Sequence, residues 1–179
     1  KPFVIGENGG VVIENNPANL TKLADKTIPL EAFQLIKNKI SEAEELITIP
    51  RLTEVVLKRT FDINKAIEIV KENNLQVDLT DSKYSYHITE KGMNKATGFK
   101  HITDKLKIDP KDCIAIGDSA TDIPLFDMCG YGITMEHAES DVKEKANYIT
   151  KMDRAKGAIE AFEHVADKFL KKSIDDREN

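Results

Sequence analysis

Strand-like and helical patterns alternate strictly after Gly92, and this alternation is the feature that most restricts the fold. A helical pattern over residues 94–106 is followed by the apolar run CIAIG at 113–117. Further along the chain the strand patterns are YGITM and YIT, and the helical patterns contain IPLFDMC, SDVKEKA and GAIEAFEHVADKFL. Strands that are almost entirely apolar and separated by helices are typical of a parallel sheet covered on both faces. We therefore predict an α/β fold for this part of the chain.

The first half of the chain has a different pattern. FVIGENGGVVIEN predicts two short strands joined by a turn at 8–10, and the polar segment 15–26 is expected to be a linker. Two helical and three strand patterns follow; in chain order they are LEAFQLIKNKI, TEVVLKR, INKAIEIVKEN, LQVDLT and YSYHIT. The residues expected on the buried face of the first helix are Leu30, Phe33, Ile36 and Ile40. The alternating strands over 15–88 favour a compact α-β-α-β-β unit with an open, one-sided sheet.

Composition excludes several classes of partner. The chain has 179 residues, 40% of them hydrophobic, which is enough to bury a sizeable core. The net charge of −5 argues against nucleic-acid binding. The sequence has no long apolar run and no signal-peptide pattern, so we expect a cytoplasmic protein that does not bind membranes. Cys113 and Cys129 are expected to be reduced core thiols, with a disulfide as the less favoured alternative.

Two acidic residues follow the apolar strand CIAIG. In open parallel sheets, ligands bind beyond the carboxyl ends of the strands, so Asp118 is expected to project into a ligand-binding crevice. Asp122 comes four residues later, at the first turn of the next helix. Together these carboxylates suit a hard cation such as Mg²⁺. Alternatively, Asp122 or Thr121 caps the helix, and the two interpretations of Asp122 are equally supported.

Lys95 favours the functional interpretation. It lies at the start of a predicted helix, where a positive charge is unfavourable by about 0.3–1 kcal/mol. Lys91 lies just before it. A lysine in this position is most often solvated surface, but near Asp118 it would bind a phosphate oxygen. A cation, two acids and a strand end together suggest Mg²⁺-assisted phosphoryl transfer.

These motifs resemble a known family. GDSATDIPLF at 117–126 resembles the GDxxxD signature of the haloacid dehalogenase (HAD) superfamily. ITEKGMNKATGFKHI at 88–102 resembles the lysine motif of the Cof-type branch, in which an upstream NGG also recurs. RLTEVV and SYHI are most similar to the archaeal phosphoglycolate phosphatases of that branch. The resemblance covers residues 3 to about 170.

The resemblance implies a fold and a division into domains. Residues 1–14 and 89–170 would form the carboxyl-terminal part of a HAD-like Rossmannoid core. Residues 15–88 would form a small α+β cap of type 2, and 171–179 a flexible tail. The implied activity is Mg²⁺-dependent hydrolysis of a small phosphorylated acid, foremost 2-phosphoglycolate.

The resemblance also implies roles for individual residues. Asp118 would bind Mg²⁺, and Asp122 would touch the metal or orient its waters. Lys95 would be the catalytic lysine that binds the phosphate. Ser119 would support the metal shell, and Thr121 stands where the family usually has Asn.

Two further residues are candidates for substrate binding. Asn8 matches a family asparagine near the substrate, although a role as a hairpin-turn residue is at least as well supported. Arg51 precedes a strand of the cap and is suited to a bidentate grip on a substrate carboxylate, the alternative being a solvated loop arginine. His87 is expected to be structural. The other histidines show no pairing that suggests a metal site or a triad; these are His101, His137 and His164.

The nucleophile of the family is absent from this sequence. It is the first Asp of an Asp-x-Asp-Gly motif, and no Asp-x-Asp occurs in the chain. The chain also begins KPFVIG without a methionine. We therefore expect the carboxyl-terminal part of a phosphatase that is inactive as it stands, with an exposed apolar sheet edge. A sugar-phosphate or nucleotide substrate, a non-catalytic binding module, a homodimer and association with a separate N-terminal segment are left open.

Overall fold

In the computed structural model the described part of the chain forms two compact units, which divide between Ile108 and Asp109. The structure describes residues 2–170, so the predicted tail at 171–179 lies outside the described residues. The division into a core and a cap, with boundaries at 14 and 89, stays a prediction. Among the described residues no helix combines the length and the apolar character needed to cross a membrane.

The first unit opens with a three-stranded antiparallel sheet. It contains β1 (Phe3–Gly6), β2 (Val11–Glu14) and β3 (Leu20–Lys22), in the order β1-β2-β3. The predicted hairpin is confirmed, but the prediction of a linker over 15–26 is wrong where β3 lies. All three β3 residues are exposed, so this strand lacks the apolar alternation by which strands are recognised in a sequence.

A second sheet and two helices form the main apolar core of this unit. The strands are β4 (Val55–Leu57), β5 (Val77–Asp81) and β6 (Tyr86–Glu90), antiparallel in the order β4-β6-β5. The helices α1 (Thr27–Lys39) and α2 (Ile63–Glu72) pack against these strands. The predicted α-β-α-β-β order is confirmed. The core they share is apolar and includes Phe33, Ile36, Val55, Leu57, Ile69 and Ile88.

One residue of α1 that was predicted to be buried is exposed. Leu30 is 40% exposed, whereas Phe33, Ile36 and Ile40 are buried as predicted. The buried face of α1 begins at Pro29. Because successive residues of a helix are turned by about 100°, Leu30 lies at the side of that face.

The helix α3 (Lys95–Leu106) packs against the first sheet. It begins where the sequence predicts, because the side chain of Asn94 accepts hydrogen bonds from the amides of Ala96 (2.9 Å) and Thr97 (3.3 Å). Gly98 allows the close packing, since a Cβ atom there would lie 2.7 Å from the Ile5 side chain.

The second unit contains the predicted parallel sheet. Its strands are β7 (Ile114–Ile116), β8 (Tyr131–Thr134) and β9 (Tyr148–Ile149), in the order β7-β8-β9. The helices are α4 (Ile123–Met128), α5 (Ser140–Lys145) and α6 (Arg154–Val165), the last extended by a π-turn at Ala166–Leu170. The α/β class is therefore confirmed. Within residues 2–170, β7 is an edge strand, with Ile114 and Ile116 partly exposed.

Candidate functional site

The loop after β7 is held together by the side chain of Asp122. One carboxylate oxygen, Oδ2, accepts hydrogen bonds from the amide of Asp118 (3.2 Å) and from the amide and hydroxyl of Ser119 (3.1 and 3.0 Å). Asp122 is only 7% exposed. A Cβ atom on Gly117 would lie 2.5 Å from the Asp122 carboxyl carbon, so glycine is required beside it. Asp122 thus closes the 3-10 turn Ala120–Asp122 and makes no side-chain cap on α4, and a contact with a metal stays a prediction.

Asp118 presents its carboxylate at the carboxyl end of β7. Its side chain is 50% exposed, and Oδ2 lies 3.0 Å from Nε2 of His137. The amide of Arg154 donates to the other ring nitrogen, Nδ1, at 3.1 Å. Since Nδ1 accepts this bond, the ring proton is on Nε2, and His137 donates to Asp118.

The pairing of His137 with Asp118 was not predicted from the sequence. His137 lies 19 positions from Asp118 and three residues after the end of β8. The carboxyl ends of neighbouring parallel strands meet at one edge of a sheet. This rule, applied to residues after β8 as well as after β7, would have identified the pair.

The oxygen ligands of this loop suit Mg²⁺. Mg²⁺ is commonly bound by one or two carboxylates, the other ligands being water and substrate phosphate. Asp118 and Asp122 supply such a donor set beyond a strand end. Among residues 2–170, no cluster of three or more His, Cys, Asp or Glu side chains could hold a metal ion.

In the first unit, the turn between β1 and β2 has an unusual backbone. Glu7, Asn8 and Gly9 all have positive φ angles, of 50°, 51° and 99°. The carboxylate of Glu7 accepts hydrogen bonds from the amides of Leu52 and Thr53 and from the Thr53 hydroxyl, at 2.6–3.0 Å. Side-chain contacts outside the turn thus stabilise a backbone conformation that non-glycine residues rarely adopt.

The same turn packs against the start of α3. A Cβ atom on Gly9 would lie 1.8 Å from the carbonyl oxygen of Asn94. Lys95 follows Asn94 as the first residue of the helix and is half-buried. The turn that carries Asn8 and the helix start that carries Lys95 are therefore in direct backbone contact.

Asn8 and Arg51 meet at a buried carboxylate that the sequence analysis did not identify. Glu54 is 1% exposed. Its Oε2 accepts from Nδ2 of Asn8 at 2.9 Å, and its Oε1 lies 3.2 Å from Nη1 of Arg51. Arg51 is therefore not a solvated loop arginine, since it is ion-paired and its side chain is only 30% exposed.

His87 also contacts the Glu54 carboxylate. Its Nδ1 lies 2.9 Å from Oε2 of Glu54, and its Nε2 lies 3.0 Å from the Ser85 hydroxyl and 3.3 Å from the Ser82 hydroxyl. An ionised carboxylate only accepts hydrogen bonds, so Nδ1 carries the proton. Below, the Glu54 cluster means the set Asn8, Arg51, Glu54, Ser82, Ser85 and His87.

Each unit thus gathers part of the predicted site. Asn8 and Arg51 meet through Glu54 in the first unit, and Asp118 and Asp122 share one loop in the second. Lys95 belongs to the first unit and Asp118 to the second. Their convergence on one phosphate pocket stays a prediction.

The cysteines have no catalytic character. Cys129 is buried, and burial raises the pKa of its thiol to about 11. Burial also raises the pKa of Cys113, with smaller contributions from Asp112 and Asp109. Both thiols are free, as expected, and a thiol with a raised pKa is a poor nucleophile at neutral pH.

Comparison with known proteins defines the class. The sequence profile of the haloacid dehalogenase-like hydrolases matches residues 1–162. The chain therefore belongs to the haloacid dehalogenase-like hydrolase family, in agreement with its parallel sheet and the acidic loop after β7.

Relatives within this family carry a more specific name. A phosphoglycolate phosphatase of Nitrosopumilus maritimus is 41% identical over 163 residues, which are 90% of this chain and 70% of that protein. A phosphoglycolate phosphatase of Archaeoglobus fulgidus is 34% identical over 160 residues, with coverages of 89% and 70%.

Solved structures support the fold. A protein of Thermoplasma acidophilum superposes with a TM-score of 0.79 at 19% identity, covering 90% of this chain and 71% of that one. A subclass IIB sugar phosphatase of the HAD superfamily superposes with a TM-score of 0.74 at 14% identity, with coverages of 92% and 75%.

Proposed function

We propose that this chain is part of a Mg²⁺-dependent phosphatase that hydrolyses 2-phosphoglycolate to glycolate and inorganic phosphate. The observation that carries the proposal is the loop after β7. There the buried Asp122 fixes the backbone, and the Asp118 carboxylate remains half exposed at the carboxyl end of a parallel strand. Two relatives named phosphoglycolate phosphatase, at 41% and 34% identity, support the choice of substrate.

In this proposal Asp118 would hold the cation at the carboxyl end of β7, and Asp122 would position the loop for it. When bound, Mg²⁺ would neutralise charge on the phosphoryl oxygens and orient the ester for in-line displacement. The hydrogen bond from His137 leaves Oδ1 of Asp118 as the oxygen available to the cation. Asp122 acts through the loop backbone, whose geometry it fixes.

Lys95 would bind a phosphate oxygen. At the first position of α3 its ammonium group adds to the positive end of the helix, and together they favour a dianionic ester. The charge that develops on the phosphoryl oxygens during transfer is stabilised by the same contact.

The attacking carboxylate is expected from an aspartate upstream of Lys1, as in the family that the sequence resembles. Its oxygen forms a bond to phosphorus while the bond to the glycolate oxygen breaks, and an acid two residues further on protonates the leaving alkoxide. Water then attacks phosphorus and releases phosphate and the free aspartate. The segment 15–88 would close over the substrate and exclude bulk water.

A substrate panel on the enzyme produced with its upstream segment tests this proposal. The panel contains 2-phosphoglycolate, 3-phosphoglycerate, glucose 6-phosphate and a nucleoside monophosphate, with phosphate release as the measurement. We expect the largest kcat/KM for 2-phosphoglycolate, loss of turnover with a chelator, and recovery on addition of Mg²⁺. A preference for the sugar phosphate or the nucleotide would overturn the substrate, and turnover that survives chelation would overturn the metal.

A further inference from the structure

Among residues 2–170, the carboxylate of Glu54 is the most completely buried ionisable group that the proposed reaction does not use. It is 1% exposed, and its oxygens contact residues from three separate segments: Asn8, Arg51 and His87. A buried charge is tolerated only when it is paired and hydrogen-bonded, and removing a partner from such a pair is costly. Oε2 is hydrogen-bonded to Asn8 and His87, whereas Oε1 faces Arg51 in an ion pair that lacks hydrogen-bond geometry. Asn8 and His87 therefore fix the carboxylate, and the ion pair holds Arg51 against it.

Arg51 keeps donors for a second partner. Its planar guanidinium group carries five N–H donors in a fixed fork, and Nη1 is the nitrogen that contacts Glu54. Over residues 2–170, Glu54 is the one ion-pair partner found for Arg51. A guanidinium group that is ion-paired through one nitrogen, on a side chain that is 30% exposed, is preorganised to bind an incoming carboxylate.

His87 restrains the side chain of Glu54. The ring is held at both nitrogens, by Glu54 on one side and by the hydroxyls of Ser82 and Ser85 on the other. Because the ring cannot turn without breaking one of these bonds, Glu54 has little freedom to follow Arg51 into another conformation. His87, a residue of β6, thus restrains the Arg51 guanidinium group through Glu54.

The Glu54 cluster also lies next to the proposed phosphate-binding helix start. Asn8 is bonded to Glu54, and the adjacent Gly9 packs on the carbonyl oxygen of Asn94, the residue before Lys95. All of these residues belong to the first unit. One continuous set of contacts therefore links Arg51 to the residue that would bind phosphate.

We propose that Glu54 is a positioning residue for substrate selection. Without touching the substrate, it holds Arg51 so that the guanidinium group binds a carboxylate carried beside the phosphate. This inference rests on the proposed phosphatase function and extends it, because it assigns the preference for phosphorylated acids to a buried residue.

The experiment compares two esters of equal length, 2-phosphoglycolate and 2-hydroxyethyl phosphate, in which CH₂OH replaces the carboxylate. The variants are Arg51→Ala, Glu54→Gln and the double variant, made in the enzyme with its upstream segment. Arg59→Ala is the matched control, because Arg59 is also ion-paired, to Asp81, but lies outside the Glu54 cluster. The ratio of kcat/KM for the two esters measures selection.

We expect Arg51→Ala to lower this ratio about 100-fold and Glu54→Gln about 10-fold, mostly through a higher KM for 2-phosphoglycolate. The double variant should be no worse than Arg51→Ala alone, because Glu54 acts through Arg51. Arg59→Ala should keep the wild-type ratio. An equal loss on both esters in Glu54→Gln, or additive losses in the double variant, would overturn the positioning role.

A folding defect is separated from this effect by thermal unfolding of each variant. If Glu54→Gln does not fold, Glu54→Asp replaces it, since Asp keeps the buried charge but is one methylene too short for the present contact with Arg51. The same selective loss is then expected. Selection that is unchanged in Glu54→Asp would overturn the inference.

The outcomes also distinguish this inference from the proposed substrate. Wild-type enzyme that prefers 2-phosphoglycolate, with variants that retain the preference, contradicts the role of Glu54 alone. The wild-type enzyme could instead prefer 3-phosphoglycerate to glycerol 3-phosphate, and the Arg51 and Glu54 variants could lose that preference. This result would contradict the proposed substrate alone. Wild-type enzyme with no preference for an acid contradicts both.

Discussion

Gly9 lies directly against Asn94, so close that a Cβ atom on Gly9 would approach the Asn94 carbonyl oxygen to 1.8 Å. Asn94 caps α3, and Lys95 is the first residue of that helix. The β1–β2 turn therefore packs against the start of α3, where the proposed phosphate-binding lysine lies.

The contact predicts different costs for two glycines with similar backbone angles. Gly9 has φ +99° and an occupied Cβ position, whereas Gly92 has φ +79° and nothing within 4 Å of a Cβ atom. We expect Gly92→Ala to lower the free energy of unfolding by about 1–2 kcal/mol, through backbone strain alone. Gly9→Ala should cost about 1–3 kcal/mol more, because the backbone of Asn94 must move. Denaturant unfolding measures both, and equal losses would contradict the close packing.

Replacing Lys95 should remove turnover and keep the fold. In the enzyme with its upstream segment, Lys95→Ala is expected to lower kcat about 100- to 1,000-fold, by loss of charge stabilisation at phosphate. Lys100→Ala is the control, since Lys100 lies on the same helix but pairs with Asp104 on the surface. Phosphate release and circular dichroism are the measurements. Near-normal activity of Lys95→Ala would show that this lysine has no role at phosphate.

Two variants of Asp122 separate a role in binding Mg²⁺ from a role in holding the loop. Asp122→Asn keeps an oxygen that accepts from the Asp118 and Ser119 amides, so the fold should persist while Mg²⁺ affinity falls about 10-fold or more. Asp122→Ala leaves these donors without an acceptor and should also cost about 1–3 kcal/mol of stability. Calorimetric Mg²⁺ titration and denaturant unfolding separate the two effects. Unchanged Mg²⁺ affinity in Asp122→Asn would assign this residue to the loop alone.

Cys129 should react with iodoacetamide slowly at neutral pH. With a pKa of about 11, about one thiol in a thousand is ionised at pH 8, since each pH unit changes the ratio tenfold. The rate in a Cys113→Ser variant should rise about tenfold per pH unit up to about pH 11. Cys129→Ser, which leaves the partly exposed Cys113, should be alkylated faster at pH 8. Equal rates would contradict the burial of Cys129.

The same raised pKa affects stability only at high pH. An unfolded thiol ionises near pH 9, and the native thiol of Cys129 near pH 11. Between these values the unfolded chain has lost a proton that the native chain retains, so the free energy of unfolding falls as pH rises. Below pH 9 this group has no effect. A Cys129→Ala variant should lose this part of the alkaline destabilisation.

Much of the fold follows from local pattern. The parallel strands β7 and β8 are apolar and separated by a helix, and Asn94 marks the start of α3, so all three elements are predictable. β3 is not, because its residues are exposed and its order comes from pairing with β2. Leu30 shows the same limit, since its spacing suits the buried face, yet the face that packs includes Pro29 and Phe33 and leaves Leu30 exposed.

The site is predictable only where its residues are close in sequence. Asp118 and Asp122 belong to one loop and follow from a strand end. The role of Glu54 could not be predicted, because a single Glu before an apolar strand looks like an ordinary surface residue in the sequence. Its burial depends on Asn8 and His87, which lie 46 and 33 positions away.

Ser82 and Ser85 flank the connection between β5 and β6, yet each is one hydrogen bond from His87 and two from Glu54. A laboratory selection for altered substrate range would therefore be expected to recover changes in this connection, distant in sequence from every group proposed to touch the ester. Libraries directed at positions 82 and 85 would adjust the preference for acids without replacing a residue proposed to hold phosphate or metal.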